Sequence, residues 1–350
     1  MSDFAIVQIY PKDLKSIKKI EDLLAQEGIR KDQNLDYMCA IFDENKQVIA
    51  TGSAYKDTLR CLAVDKHYQG EGLLNKIVSH LIAVENSRGY HHLFVYTKIS
   101  SSFFFQNIGF YPIVTVQDHL VFMENRPHGF SNYLNKLAQH PFKKENAKIS
   151  AVILNANPFS LGHLYLIETA SKESDLVHVF MVSQDSSLFP FDVRKKLIIE
   201  GCAHLDNLVF HETGPYIISN STFPSYFQKD SLSVARSHAL LDISIFHIIA
   251  ERLNIRHRYV GQEKTSQVTA VYNQVMQELL PTYGITLHEI ERKKIGDTTI
   301  SASTIRQYIK NGQIEKIKDL VPATTYQFLL SPEAKQIIDA IKASESVIHY

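Results

Sequence analysis

The chain is 350 residues long, enough for two domains, and its 45% hydrophobic content is ordinary for a globular protein. Lys plus Arg (37) equals Asp plus Glu (37), so the formal net charge is zero, which argues against a nucleic-acid scaffold. No apolar run approaches the roughly 18 residues that span a membrane, and the start, MSDFAIVQIY, lacks the charged opening and long apolar stretch of a signal peptide.

A cytoplasmic protein with no membrane or nucleic-acid partner is therefore expected. In chain order, a strand-like run at 4–9 precedes a helical period through Leu14, Ile17, Ile20, Leu23 and Leu24. Strands are predicted at 37–42 and 48–55, with a turn at Glu44-Asn45, and again at 59–64. The segment Tyr68-Gln69-Gly70-Glu71-Gly72-Leu73-Leu74 then opens a helix carrying Ile77, Leu81 and Ile82. A strand, a glycine-rich turn and a helix N-terminus together can present N–H groups to phosphate. After this first domain, 1–130, the sequence turns polar and broken, and 131–148 reads as a linker with one short helix.

From Ile149, strands at 149–154, 176–182, 208–212, 256–260 and 285–290 alternate with helices at 164–172, 193–202, 232–253, 268–279 and 303–310. That order predicts an α/β fold with a doubly wound parallel sheet over 149–350, and such sheets bind ligands beyond the strand C-termini. Polar residues stand at those ends. Ser183-Gln184-Asp185 is one group, with Arg194 opening the next helix. Gly261-Gln262-Glu263-Lys264-Thr265 is another, a loop that reads adenine and ribose, coordinates a metal, or is simply solvated. Asp242, on an otherwise apolar helix, reads as a satisfied core carboxylate. The three cysteines, Cys39, Cys61 and Cys202, are odd in number and lack CxxC spacing, so they read as reduced small apolar residues without a disulfide framework or zinc.

Two stretches carry chemistry. Asn155 to His163 reads NANPFSLGH: a strand ends, a turn holds Asn155, Asn157, Pro158, Phe159 and Ser160, and Gly162 and His163 begin a helix. Unpaired N–H groups and the positive helix end suit phosphate there, Gly162 lets the backbone approach an anion, and His163 adds a donor of adjustable protonation. About 140 residues further on, Ile300 to Arg306 reads ISASTIR. Its hydroxyls (Ser301, Ser303, Thr304) can cap a helix and meet phosphate oxygens, and Arg306 offers a fixed fork to growing negative charge. Each stretch alone could be an ordinary helix start with a surface side chain; both in this order favour a nucleotide site. Of the 16 histidines only His163 has a motif around it, and His204, His211, His238 and His247 read as surface or hydrogen-bonded core residues.

The two stretches resemble the paired signatures of the nucleotidylyltransferase superfamily, His/Thr-x-Gly-His and Ile-Ser-x-Ser/Thr-x-x-Arg. Ser160 departs from the first, placing a hydroxyl where many members carry imidazole. The earlier glycine turn resembles the pyrophosphate loop of GCN5-related N-acetyltransferases, Gln/Arg-x-x-Gly-x-Gly/Ala, through Gln69 and Gly72, but Leu74 occupies the last small position. Phe105 to Phe110, FQNIGF, resembles that family's closing motif. An acetyltransferase-like domain followed by NANPFSLGH, RYVGQEKT, AVYNQVM and ISASTIR resembles the citrate lyase ligase family.

That resemblance implies activation of acetate with ATP, loss of pyrophosphate, and acetylation of a thiol. The thiol belongs to the dephospho-CoA-type prosthetic group of the citrate lyase acyl carrier protein, the gamma subunit. His163 and Ser160 would face the α- and β-phosphates, with Ser301, Ser303 and Arg306 on the β- and γ-phosphates. Asn155, Asn157, Pro158, Phe159, Gly162, Gly261, Glu263 and Thr304 would complete the nucleotide site. Magnesium would bridge phosphate oxygens mostly through water, so no protein metal ligand is assigned. Gln69, Gly70 and Gly72 would hold the carrier's arm. Two other readings stand beside this one: a nucleotidylyltransferase acting on a phosphorylated metabolite, and an acetyl-CoA-dependent acetyltransferase with a nucleotide-binding regulatory domain.

Overall fold

Apolar residues on both faces of the early strands call for cover on both sides, and that is how the first sheet is built. The structure, a computed structural model, describes residues 4–116, 120–139, 142, 144–183, 187–217, 231–262, 267–296 and 298–347. The chain divides into one unit of Met1–Tyr133 with Thr222–Ser244 and another of Leu134–Ser221 with Ile245–Tyr350.

In the first unit the elements run β1 (Ile6–Gln8), α1 (Leu14–Gln26), β2 (Tyr37–Phe42), β3 (Val48–Tyr55), β4 (Thr58–Val64), α2 (Leu73–Ser87), β5 (Phe94–Thr97), α3 (Ile99–Asn107), β6 (Tyr111–Val116) and β7 (Leu120–Glu124). They form a seven-stranded sheet in the order β1-β2-β3-β4-β5-β7-β6. Met38 and Ala40 of β2 pack with Ile20, Leu23 and Leu24 of α1, while Tyr37, Cys39 and Ile41 pack with Ile77, Val78 and Leu81 of α2. The period of two thus survives, with both faces buried. Gly52 of β3 allows α2 to approach, because a Cβ there would lie 2.4 Å from Ile77 Cγ2.

The pairing of β4 with β5 is parallel and covers only Thr58 with Phe94 and Leu59 with Val95. Beyond that point a cavity of about 580 Å³ is lined by Leu62 and Val64, by Tyr96 and Thr97, and by the Gln69 to Asn75 turn. Gly72 begins α2 at φ +77° without a side-chain cap. Phe105 to Phe110 forms the end of α3, a left-handed turn at Gly109 and the entry to β6. Apart from the FQNIGF motif between them, the strands β5 to β7 have no counterpart in the sequence expectations, since they are short and β6 is largely exposed.

Helix α4 (Gly129–Leu137) leads into β8 (Ile149–Leu154), α5 (Leu161–Lys172), β9 (Leu176–Met181), α6 (Phe191–Gly201) and β10 (Leu208–Glu212). Then come α7 (Ser231–Leu253), β11 (His257–Gly261), α8 (Gln267–Leu279), β12 (Thr286–Ile290), the short β13 (Lys294–Ile295) and β14 (Thr298–Thr299), α9 (Ala302–Lys310), α10 (Ala323–Leu330) and α11 (Lys335–Ala343). The five-stranded sheet is ordered β10-β9-β8-β11-β12 with every pairing parallel, the doubly wound architecture predicted. Its order reverses between β8 and β11, the place where such sheets open a ligand crevice at their C-terminal edge. No element was expected beyond 310, yet Ile317, Phe328, Ile337, Ile341 and Val347 belong to the same core as Val152, Leu154 and Phe159.

Candidate active site

The turn after β8 is held from behind. Phe159 is fully buried, and only a glycine at 201 leaves room for it, because a Cβ there would lie 2.6 Å from its Cε1. The Asn157–Pro158 peptide is cis, and Asn157 Oδ1 accepts the Phe189 N–H at 3.1 Å. Arg194, fully buried, donates to four acceptors: the carbonyls of Phe189 (3.0 Å), Asn155 (3.0 Å) and Val182 (2.6 Å), and Asn155 Oδ1 (2.8 Å). It therefore fastens the ends of β8 and β9 to the start of α6. Since Oδ1 of Asn155 accepts from Arg194, its amide faces Ser187, at 2.9 Å.

Ser160 caps α5 in a closed box with His163. The Ser160 N–H reaches His163 Nδ1 at 3.1 Å, so Nδ1 is an acceptor and the ring proton sits on Nε2. The Ser160 hydroxyl lies 2.9 Å from the same nitrogen and accepts the His163 N–H at 3.4 Å. Burial, then the positive charges of Arg292 and Arg306, pull the imidazole pKa down to about 4. At neutral pH His163 is thus an uncharged Nε2–H donor with its other nitrogen tied down. The Leu161 N–H is taken by the Leu320 carbonyl at 2.9 Å, whereas the Gly162 N–H of this helix start has no main-chain acceptor among the described residues.

The second stretch abuts the first. A Cβ on Gly162 would lie 3.4 Å from the Ile300 carbonyl oxygen. Ser301 caps α9 by accepting the Thr304 N–H at 3.1 Å, and its hydroxyl lies 2.8 Å from that of Thr304. Arg306, 2% exposed, donates from Nε to the Val347 carbonyl (2.7 Å), from Nη1 to the Asn157 carbonyl and from Nη2 to Ser303 Oγ (3.3 Å).

The structure thus brings together Asn155, Asn157, Pro158, Phe159, Ser160, Gly162, His163, Ser301, Ser303, Thr304 and Arg306, and sets Gly261 at the tip of β11. Glu263, Gln184 and Asp185 lie outside the described residues. Gln69, Gly70 and Gly72 line the cavity of the first unit. Among the described residues no group of three or more His, Cys, Asp or Glu could hold a metal ion, and no helix is long and apolar enough to cross a membrane.

A profile of the citrate lyase ligase C-terminal domain matches residues 149–329, which contain the whole NANPFSLGH turn and ISASTIR. The chain belongs to the citrate lyase ligase family. It is 34% identical to the [citrate [pro-3S]-lyase] ligase of Escherichia coli over 90% of this chain and 90% of that one. It is 32% identical to the Haemophilus influenzae enzyme of the same name, over 90% of this chain and 95% of that one. Among solved structures, a bifunctional NMN adenylyltransferase/ADP ribose pyrophosphatase from Francisella tularensis is 19% identical, covering 56% of this chain and 52% of its own, with a TM-score of 0.37. As a citrate lyase ligase the protein is an enzyme of the ligase class.

Several residues that shape this ligase's site escaped the sequence reading. Arg292 donates from Nε to the Gln262 carbonyl at 2.7 Å, and nothing in RKKIGD marks it. Leu320 and Val347 act through main-chain carbonyls, which no side-chain pattern reveals. Arg194 was noted only as a polar residue, although a lone arginine in the first turn of a helix that follows a strand end is a usable signal. The cysteines are free and buried, each thiol pushed up to about 12 by desolvation.

Proposed function

We propose that the second unit activates acetate with ATP, forming acetyl-adenylate and pyrophosphate, and that the acetyl group then passes to the thiol on the prosthetic group of the citrate lyase acyl carrier protein. The single observation that carries this reading is the fixed state of His163, a neutral Nε2–H donor beside the Gly162 N–H at the C-terminal edge of a parallel sheet. Acetate is a poor acyl donor to a thiol because oxide would have to leave. Attack of a carboxylate oxygen on the α-phosphorus breaks the bond to the β-phosphate bridging oxygen, and pyrophosphate departs. The acyl phosphate anhydride left behind has AMP as a good leaving group, and the thiolate displaces it.

Nothing in this sequence demands a covalent enzyme intermediate. The site has to align the carboxylate with phosphorus and supply donors where charge grows. On this reading His163 Nε2–H and the Gly162 N–H would donate to the α-phosphate that acetate attacks, with the Ser301 and Thr304 hydroxyls, 2.8 Å apart at the start of α9, on the phosphates beyond it. Magnesium, expected with ATP, would be held mostly through phosphate oxygens and water.

Exchange of labelled pyrophosphate into ATP, with and without acetate and in the absence of carrier, tests this reading. Acetate-dependent exchange is the expected result, and exchange that ignores acetate would overturn it in favour of a nucleotidylyltransferase acting on a phosphorylated metabolite. Replacing His163 by alanine should lower the exchange rate by roughly 100- to 1000-fold, the usual loss for an oxyanion-type donor.

For the first unit, the splayed β4 and β5 and the glycine turn at Gly70 and Gly72 support a narrower reading, in which the cavity holds the carrier's thiol-bearing arm. Leu74 also lines it, where the acetyltransferase pattern has a small residue. A Ser101→Trp substitution, which narrows the cavity, should raise the KM for the carrier and leave acetate-dependent exchange unchanged. An unaltered carrier KM would remove the cavity from the reaction.

A further inference from the structure

The segment that follows α11 is fastened to the nucleotide site by side chains of α9. Helix α11 ends at Ala343, and Ser344 already has extended backbone, at φ −68° and ψ +136°. Past it, Glu345 and Ser346 are exposed, whereas Val347 is 1% exposed and belongs to the core that holds Phe159 and Ile305. No helix or strand covers 344–347, so the segment depends on other contacts for its place.

Two cations of α9 supply them. Arg306 and Lys310 stand four residues apart and so share one face of the helix. Lys310 Nζ donates to the carbonyls of Ser344 (2.8 Å) and Glu345 (3.1 Å), and Arg306 Nε donates to that of Val347 (2.7 Å). Three of the four carbonyls of the segment therefore accept charge-assisted hydrogen bonds.

The same guanidinium also serves the turn that carries His163. Its Nη1 donates to the Asn157 carbonyl, three residues before Ser160, and its Nη2 to Ser303 Oγ at 3.3 Å. A guanidinium is planar and rigid, so an acceptor that fixes Nε also fixes the plane in which Nη1 lies. The Val347 carbonyl thus orients the fork that holds the Asn157 turn. Segment 344–347 lies beyond residues 149–329, the span matched by the family profile.

We propose that 344–347 is a positioning strap for the nucleotide site: it holds Arg306, and Arg306 holds the turn that presents Ser160 and His163. This role rests on the nucleotide reading above. The strap acts on the reaction through Arg306 and not by touching substrate.

The test uses the full-length chain with substitutions that leave Arg306 and the turn intact. Val347→Gly removes the apolar anchor, and Lys310→Met removes the donor to the Ser344 and Glu345 carbonyls while keeping the stem. Both should lower kcat for acetate-dependent pyrophosphate exchange by roughly 10-fold, the scale of one charge-assisted hydrogen bond, with the KM for ATP near the wild-type value. Lys310→Arg keeps a donor and should restore most of the rate. In histidine-labelled protein the His163 ring resonance, identified by its loss in His163→Ala, should shift in Val347→Gly and Lys310→Met and return in Lys310→Arg.

A segment that only adds stability would lower the melting temperature and leave both the His163 resonance and kcat per folded molecule as in the wild type. That result would overturn the proposal, as would a loss confined to KM. If wild-type exchange does not depend on acetate, the acid-activation reading fails, and the His163 resonance still decides on the strap.

Discussion

Replacing Ser160 by alanine removes a hydroxyl that does two things at once: it caps α5 through the His163 N–H, and it lies against His163 Nδ1. The capping loss is about 1 kcal/mol, within a range of roughly 0.5–2. A unit of this size should then melt roughly 2–4 °C lower for each kcal/mol. The second loss falls on the reaction. With the hydroxyl gone, only the Ser160 N–H holds the ring at Nδ1, and one net hydrogen bond of roughly 0.5–1.5 kcal/mol corresponds to roughly 2- to 12-fold in rate. Acetate-dependent pyrophosphate exchange should accordingly fall in kcat, with the KM for ATP little changed, because the 2%-exposed Ser160 acts through His163. Threonine keeps the hydroxyl, so Ser160→Thr should restore both the melting temperature and kcat. The reasoning is refuted if Ser160→Ala matches the wild type in both measurements. It is equally refuted if threonine is as damaging as alanine, or if the loss appears in KM, which would put the hydroxyl directly on a phosphate.

Arg194→Met should leave buried acceptors on Asn155, Val182 and Phe189 without their donor and cost on the order of 3 kcal/mol or more. Chemical denaturation and exchange should both register the loss, and lysine should recover little of it. Gly52→Ala should destabilise the first unit by about 1–3 kcal/mol through overpacking against Ile77, Leu62 and Leu81, while exchange per folded molecule is retained. Stability should fall as the pH drops below about 6.5, the unfolded histidine value. His178 is lowered to about 3, by burial first and then by His211, so between those values the unfolded chain binds a proton that the folded chain refuses. The expected slope is up to about 1.4 kcal/mol per pH unit for that one group. Urea midpoints at pH 7 and pH 5 should show it, and His178→Phe should reduce the slope while leaving the share of His163, lowered to about 4.

The parallel sheet was readable because its first two strands, Ile149–Leu154 and Leu176–Met181, are largely apolar runs followed by polar residues, and α5 and α9 announce themselves by Ser160 and Ser301 at their caps. These are local signals, carried within three or four residues. The strands β5 to β7 did not stand out, β5 and β7 because they are only four and five residues long and β6 because it is an exposed edge whose pattern runs against alternation. Nor did α10 and α11, whose short apolar runs gain their meaning only by closing the core over Phe159 and Ile305. Such helices are stabilised by packing across the fold, which no window of sequence contains.

The same distinction divides the site. His163 and Ser160 are three residues apart and their hydrogen bonds follow from a helix start, so sequence could place both. Arg306 and the Asn157 carbonyl are 149 residues apart, and Arg292 meets Gln262 over a separation of 30. Arginine side chains reach far and donate in several directions, so the residue type alone cannot say whether the fork is turned toward a ligand or toward a carbonyl. A motif can therefore mark where a nucleotide site is expected and still not say where its arginine points. The direction of the fork is set by which carbonyls the fold leaves in need of a donor. Asn157 and Val347 are such carbonyls, and Arg306 lies between them.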